Sequence, residues 1–199
     1  MRQVERAMAY CTESEVKQRL NITGGNDDAL ITQLASTASD WIDAHCMLPQ
    51  GAFAVAADTT RYYDESALAY GATLKLDQPL VSVTQLYNGD GVVLPSNAYR
   101  LHPRNASPYW SICLLSGYAW QFAIDGEIAV TGKFGWSLTR PKPVQEAAIM
   151  LASWLFKRYQ AALQDATVNL DLGQLVYSDP IPKQVTTMLA PFRAYGKML

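Results

Sequence analysis

Residues 141–163, PKPVQEAAIMLASWLFKRYQAAL, are the stretch of sequence that decides the fold. Pro143 lies near the start, in the first turn of a helix, where its missing N–H costs nothing. The apolar side chains that follow recur three or four positions apart and share one helix face: Val144, Ala147, Ala148, Leu151, Leu155, Tyr159 and Leu163. Because a single amphipathic helix cannot bury such a stripe alone, the stretch predicts helical partners elsewhere in the chain.

Those partners are predicted in the N-terminal part of the chain. Thr12 followed by Glu15 has the spacing of a capping box, which opens a short helix that ends near Leu20. A second helix begins near Asn26, with carboxylates in its first turn, and ends before Pro49. Its apolar stripe consists of Leu30, Ile31, Leu34, Ala38, Trp41, Ile42 and His45. The predicted helical core therefore combines residues 1–58 with residues 141–164.

The residues between these helical parts, 59–140, have the pattern of strands. Short runs rich in β-branched and aromatic residues follow one another about every ten positions, and Asn-Gly-Asp-Gly at 88–91 is a hairpin signal. This spacing favours a small antiparallel β-sandwich or barrel. The predicted fold class is α+β, with two N-terminal helices and one long C-terminal helix forming a core that the β domain interrupts.

Residues 165–199 are predicted to form an extended arm that docks on a partner. Three prolines, Pro180, Pro182 and Pro191, prevent one long helix, although a short one fits around 184–189. The segment has too many apolar residues for a solvated tail. The side chains expected to anchor the arm are Tyr177, Ile181, Leu189, Phe192, Arg193 and Tyr195.

Composition favours a protein with much surface buried against partners. Only 17% of the 199 residues are charged, while five Trp and eleven Tyr are present, and both residue types are enriched at interfaces. The net charge of −2 gives no general attraction to nucleic acid or to an anionic membrane. No apolar run approaches the roughly 18 residues needed to span a bilayer, so no membrane association is expected.

The sequence offers no constellation of residues for catalysis, metal or cofactor binding. It lacks the common nucleotide-binding, hydrolase and zinc-protease motifs. The two histidines, His45 and His102, and the cysteines, Cys11, Cys46 and Cys113, are widely spaced and form no CxxC. We therefore expect reduced cytosolic thiols, no metal, no cofactor and no enzyme.

The β region supplies an alternative function from another class. Asp64 and Glu65 are adjacent acids that fit a turn better than a glycosidase pair, because neighbours on a strand face opposite sides. A carbohydrate-binding or hydrolytic β module would use the aromatic side chains as a sugar platform, although a core or interface role is favoured for them. These are Tyr109, Trp110, Tyr118, Trp120 and Phe122.

Charge is distributed unevenly between the two helical parts. Between residues 20 and 60 there are five acids and no base, and the acids of interest are Asp27, Asp28, Asp40 and Asp43. Between residues 140 and 158 the bases are Arg140, Lys142, Lys157 and Arg158. Two interpretations stay open: solvated helix faces, or an acidic channel wall and complementary faces of neighbouring subunits.

Several segments, in their order along the chain, resemble head–tail connector (adaptor) proteins of tailed bacteriophages. The opening resembles that family's N-terminal helical pair, the middle its proline-containing strand and hairpin, and the later parts its "v-x-G-x-x-G-w" strand, long helix and C-terminal motif. The matching stretches are YCTESEVKQRLNIT (10–23), DDALITQLASTASDWIDAHC (27–46), LDQPLVSVTQLYNGDG (76–91), VTGKFGW (130–136), PKPVQEAAIMLASWLFKRY (141–159) and IPKQVTTMLAPFRAY (181–195).

The resemblance implies a structural subunit of the phage neck. Such a protein forms a ring of about twelve copies between the portal protein and the tail or tail-completion proteins. Double-stranded DNA passes through the ring during packaging and ejection without specific binding, and the C-terminal arm contacts the portal. The implied location is the virion neck, after assembly in the host cytoplasm. A tail-completion or tail-terminator ring is the alternative within virion proteins.

Overall fold

A computed structural model describes residues 9–69, 73–123, 126–165 and 181–194. The described residues divide into a helical unit, formed by those within 9–46 and 140–193, and a sheet unit, formed by those within 47–139 together with Ala194. The first boundary between the two units follows Cys46, twelve residues before the boundary after residue 58 that the sequence predicted. Residues 47–58 belong to the sheet unit because their backbone bonds to it: Trp136 N donates to Ala52 O at 2.7 Å and Val55 N to Ser137 O at 3.1 Å.

The helical unit contains four described α-helices and a short 3₁₀ turn. They are α1 (Glu13–Leu20), α2 (Asp28–Cys46), α3 (Lys142–Asp165) and α4 (Lys183–Leu189), with the 3₁₀ turn at Ala190–Phe192. The capping box predicted at the start of α1 is confirmed. Thr12 Oγ1 accepts from Glu15 N at 3.3 Å, and Thr12 N donates to the Glu15 carboxylate at 2.7 Å.

Helix α3 is the centre of the helical unit, since α1, α2 and α4 all pack against it. The predicted pairing of N-terminal and C-terminal helices is therefore present. The side chains that fill this core are fully or almost fully buried: Val16, Ile31, Ile42, Leu151, Phe156, Val185 and Leu189. Burying a large apolar side chain stabilises a fold by about 1.5–3 kcal/mol, so α3 carries much of the unit's stability.

The part of the sheet unit that the structure describes forms six antiparallel strands. They are β1 (Thr59–Tyr63), β2 (Leu68–Ala69), β3 (Thr73–Tyr87), β4 (Tyr99–His102), β5 (Tyr109–Leu114) and β6 (Ile128–Phe134). Five strands follow the order β1-β6-β3-β5-β4, and β2 pairs with the start of β3. One face of the sheet holds a core that includes Leu74, Leu80, Ile112, Ile128 and Val130.

The predicted sandwich or barrel is wrong in detail, because the sheet is open. Strand β3 is fifteen residues long and runs through Pro79, longer than the short strands that the ten-residue spacing predicted. Its first residues pair with β5 on one side, and residues from Leu80 onward pair with β6 on the other. One long strand shared in this way joins all the others into one sheet. Gly132 permits the irregular β3–β6 pairing, since a Cβ there would lie 2.1 Å from Ser82 O.

The hairpin signal at 88–91 is confirmed as a turn. Gly91 N donates to Asn88 O at 2.9 Å, Asn88 N donates to Val92 O at 2.8 Å, and Gly91 has a positive φ of 81°. The run after the turn forms only an isolated bridge between Val93 and Tyr87 instead of a regular strand.

Candidate functional site

The described residues hold no group of three or more His, Cys, Asp or Glu side chains placed to bind a metal ion. Cys11 and Cys46 are buried, and burial raises the pKa of each thiol to about 12. A thiol with such a pKa stays protonated at neutral pH and is a poor nucleophile. Within the same residues, no helix is long and apolar enough to cross a bilayer.

The structure separates the four acids that were expected to line a channel or an interface. Asp43 is only 4% exposed and accepts a 2.5 Å hydrogen bond from the hydroxyl of Tyr10. It therefore holds Tyr10, which precedes α1, onto α2, and its carboxylate lies in the chain's own interior. Asp28 is half-buried and forms an ion pair with Lys17 at 2.6 Å. Asp27 is half-buried, and Asp40 lies on the exposed face of α2.

The four predicted interface bases also fall into different environments. The Arg140 guanidinium donates to the carbonyl of Tyr10 at 3.1 Å, so it acts inside the helical unit. Lys142 and Lys157 are exposed. Arg158, also exposed, lies over the ring of Trp154 at 4.9 Å, a cation–π arrangement that holds the guanidinium at the surface. The three exposed bases are therefore available to a partner.

The described part of the predicted arm packs on its own chain. Helix α4 lies against α3, and Leu189 is fully buried, which removes Leu189 from the anchors available to a partner. Arg193 is exposed, while Ile181 and Phe192 are half-buried. Tyr177 and Tyr195 lie outside the described residues, as does most of the stretch between α3 and α4.

The aromatic residues of the β region do not form one exposed platform. Tyr109, Trp120 and Phe122 pack against the sheet core, whereas Tyr118 is 41% exposed. Asp64 and Glu65 are not a catalytic pair either. The Asp64 carboxylate caps the 3₁₀ turn at Glu65–Ala67 by accepting from Ser66 N at 2.9 Å, and the hydrogen bonds from Ser66 lower the pKa of that carboxyl.

A charged cluster on the sheet was not found from sequence. The Arg61 guanidinium forms two hydrogen bonds with the Asp77 carboxylate, which also accepts from the Tyr63 hydroxyl at 2.7 Å. Burial alone would raise the pKa of Asp77, but the hydrogen bonds from Arg61 and Tyr63 outweigh it and lower that pKa. No spacing rule connects these residues, because β1 and β3 do not pair with each other and each pairs with β6.

The outer edges of the sheet were also missed by sequence reasoning. Among the described residues, β1 has only β6 as a strand neighbour and β4 has only β5. Beside β4 and β5 lies a cleft of about 460 Å³, whose lining includes His102, Pro103, Pro108, Trp110, Ser111 and Trp136. Trp110 and Trp136 meet edge to face, with ring centroids 6.3 Å apart. The run of β-branched and aromatic residues TTRYY at 59–63 was the available signal for β1.

Comparison with solved structures shows that this fold occurs in gene transfer agent particles, which are phage-like. In each comparison, 97% of the chain is covered. A chain in the neck of the native particle, computed with C12 symmetry, is 15% identical with a TM-score of 0.60 over 92% of its length. A chain in the neck of the empty particle, computed with C6 symmetry, is 17% identical with a TM-score of 0.59 over 93%.

A chain from the virion of the native gene transfer agent particle is 17% identical, with a TM-score of 0.58 over 93% of its length. No family model and no curated protein matches the chain. At these identities the comparisons establish a shared fold across almost the whole chain, including both the helical unit and the sheet unit.

Proposed function

We propose that this chain is a non-enzymatic, structural ring subunit of a phage-like neck, located between the portal and the tail. The observation that carries the proposal is the likeness to chains of particle necks over 97% of this chain. The sequence resemblance to head–tail connectors leads to the same function by a separate route. The C12 and C6 symmetries of the neck structures support a ring of about twelve copies.

In this function the chain's task is to bind its neighbours while leaving DNA free to slide. Each Lys or Arg contact to a phosphate adds salt-dependent affinity, which would hold the duplex. We propose that Asp27, just before α2, and Asp28 and Asp40 of α2 contribute to a repelling channel wall or to a subunit contact with the exposed bases of α3. Little affinity for double-stranded DNA at physiological salt is the expected result for the assembled ring. Tight, salt-sensitive binding would contradict it.

We further propose that the segment from residue 165 onward docks on the portal. Helix α4 packs against α3 and so attaches this segment to the helical unit. The residues before and after α4 are the ones proposed to contact the portal. Arg193 is exposed and suited to pair with an acid there, and Ile181 and Phe192 supply apolar surface. Arg193→Glu should weaken portal attachment without unfolding the chain, with Lys183→Glu as a matched exposed control on α4.

The decisive experiment is to image particles made with and without this chain. Loss of the chain should give DNA-filled heads that lack tails, and a tagged chain should appear as a ring directly beneath the portal. A tag at the far end of the neck, against the tail tube, would instead identify a tail-completion ring. Normal tailed particles without the chain would overturn the neck assignment. Specific binding of the purified chain on a glycan array would favour the carbohydrate-binding alternative.

A further inference from the structure

Asn88, in the turn after β3, is a buried polar residue with a role beyond its own turn. It is 4% exposed, and a side-chain amide at such a position needs hydrogen-bond partners within the protein. Its backbone N–H donates to Val92 O at 2.8 Å and so closes the turn. Its side chain, in contrast, bonds to a segment about thirty residues further along the chain.

The side-chain amide of Asn88 joins the turn to the loop at 115–123, which follows β5. Its Nδ2 donates to Ala119 O at 3.1 Å, and its Oδ1 accepts from Gln121 N at 3.0 Å. The same Oδ1 accepts from Gly89 N at 3.1 Å, which holds the side chain on its own turn. Because an amide both donates and accepts, one side chain bonds a carbonyl and an N–H of the loop at once.

The backbones of the turn and the loop also contact each other directly. Ala123 N donates to Gly89 O at 3.2 Å, and Gly89 forms an isolated bridge with Phe122. This approach requires glycine, since a Cβ on Gly89 would overlap Gln121 O and a Cβ on Gly126 would overlap Gly89 O. The two segments are therefore in close backbone contact at the place where the side-chain bonds also join them.

The joined segments carry a large share of the exposed apolar side chains. Seven large apolar residues are exposed in the part of the chain that the structure describes, and three of them lie here: Val92, Val93 and Tyr118. Loops are usually more mobile than the strands that they connect. Whether these three side chains move independently or as one surface depends on how firmly the turn and the loop are joined.

We propose that Asn88 is a latch that makes the turn at 88–93 and the loop at 115–123 one cooperative unit, with its exposed apolar side chains in fixed positions. The two segments then open together, because opening either one leaves the buried amide without its partners. A surface that is ordered in advance contacts a partner without first losing loop freedom. The latch belongs to the sheet unit alone and is independent of the proposed ring function.

Hydrogen exchange of backbone amides tests the latch in the unaltered chain. The amide of Gly91 in the turn and those of Gln121 and Ala123 in the loop should exchange with the same opening free energy and the same dependence on denaturant. Amides that open as one unit share both quantities. A turn amide that opens independently of the loop amides would overturn the proposal.

Asn88→Ala should separate the two segments. The amide of Gln121 should exchange at least about tenfold faster relative to the amides of β5, because the buried hydrogen bonds across the contact are lost. Asn97→Ala is the matched control, since Asn97 is exposed in the segment that follows the turn, and it should leave the exchange pattern unchanged. Wild-type exchange of Gln121 in the Asn88→Ala variant would contradict the latch.

Asn88→Asp distinguishes the latch from a general loss of stability. At pH 7 a carboxylate cannot donate to Ala119 O, so the loop should exchange faster than in the wild type. Burial raises the pKa of a carboxyl above about 3.9, and the neutral acid can donate that hydrogen bond. At pH 4 the protection of Gln121 relative to β5 should therefore return toward the wild-type value in this variant and not in Asn88→Ala. Equal protection in the two variants at pH 4 would overturn the proposed role of the Nδ2 donor.

Discussion

The helical unit and the sheet unit reach their folds through interactions of different range along the chain. In the helical unit, local signals set where helices begin and end. The capping box of Thr12 and Glu15 starts α1, and Asn21, in the left-handed conformation at φ 56°, ends it. In the sheet unit the deciding contacts join distant residues, such as the 2.8 Å hydrogen bond between the hydroxyls of Thr60 and Thr131.

Because the two units depend on interactions of different range, a substitution should affect the stability of each unit in a different way. A substitution in the helical unit alters either the packing of one helix's apolar side chains against its neighbours or the capping of one helix end. A change in the sheet unit alters the alignment of strands that no local signal can restore. Four substitutions, given from the largest expected effect to the smallest, test that contrast.

Leu151→Ala should have the largest effect. Leu151 is 1% exposed on α3, the helix on which the others pack, so the change leaves a cavity at the centre of the helical unit. Substitutions of this kind lower the free energy of unfolding by about 2–5 kcal/mol. Urea denaturation followed by circular dichroism measures the loss. Leu138→Ala, at a half-exposed residue, is the control and should change stability little. A loss below about 1 kcal/mol for Leu151→Ala would mean that α3 does not organise the unit.

Gly132→Ala should be the counterpart in the sheet unit. The added Cβ would lie 2.1 Å from Ser82 O, so β3 and β6 must move apart where their pairing is irregular. A cost of about 1–3 kcal/mol is expected, as for overpacked sites. Gly24→Ala is a matched control, since a Cβ there meets nothing within 4 Å. Equal stability of the two variants would show that β6 does not approach β3 so closely.

Thr12→Ala removes one local signal of the helical unit. The side chain would no longer accept from Glu15 N at the start of α1, and loss of an N-cap costs about 1 kcal/mol. Thr12→Ser keeps the hydroxyl and should retain most of the stability. Thermal unfolding of both variants measures the difference. An alanine variant as stable as the wild type would show that tertiary packing alone positions α1.

The Arg61–Asp77–Tyr63 cluster should have the smallest effect, and it should depend on pH. The pKa of Asp77 is lower in the folded chain than its ordinary value of 3.8, so the folded state favours the carboxylate. The resulting stability is present above pH 3.8 and is lost as the pH falls through the folded pKa. Because Asp77 is half-exposed, solvent screening keeps the contribution below about 1 kcal/mol.

Unfolding free energies measured between pH 6 and pH 3 test the assignment. The wild type should lose more stability over this range than Asp77→Asn, whose side chain does not titrate. An Asp77→Asn variant with the wild-type pH dependence would show that the cluster contributes nothing.

The sequence by itself determined the α+β class, the three main helices, the turn at 88–91 and the resemblance to neck connectors. These features depend on residues close together in the chain, where helix periodicity, capping and turn chemistry operate over a few positions. The helix around 184–189 was predicted for the same reason and is observed at Lys183–Leu189. Periodicity could not show that Leu189 lies buried in the chain's own core.

Only the tertiary structure decided which polar residues are available to a partner and how the strands join. Asp40 and Asp43 are three residues apart on one helix, yet Asp40 is exposed and Asp43 is buried against Tyr10. The pairing of β3 with β5 on one side and β6 on the other, and hence an open sheet, also had no local signal. Burial and strand pairing depend on contacts between residues far apart in sequence, and local patterns do not contain that information.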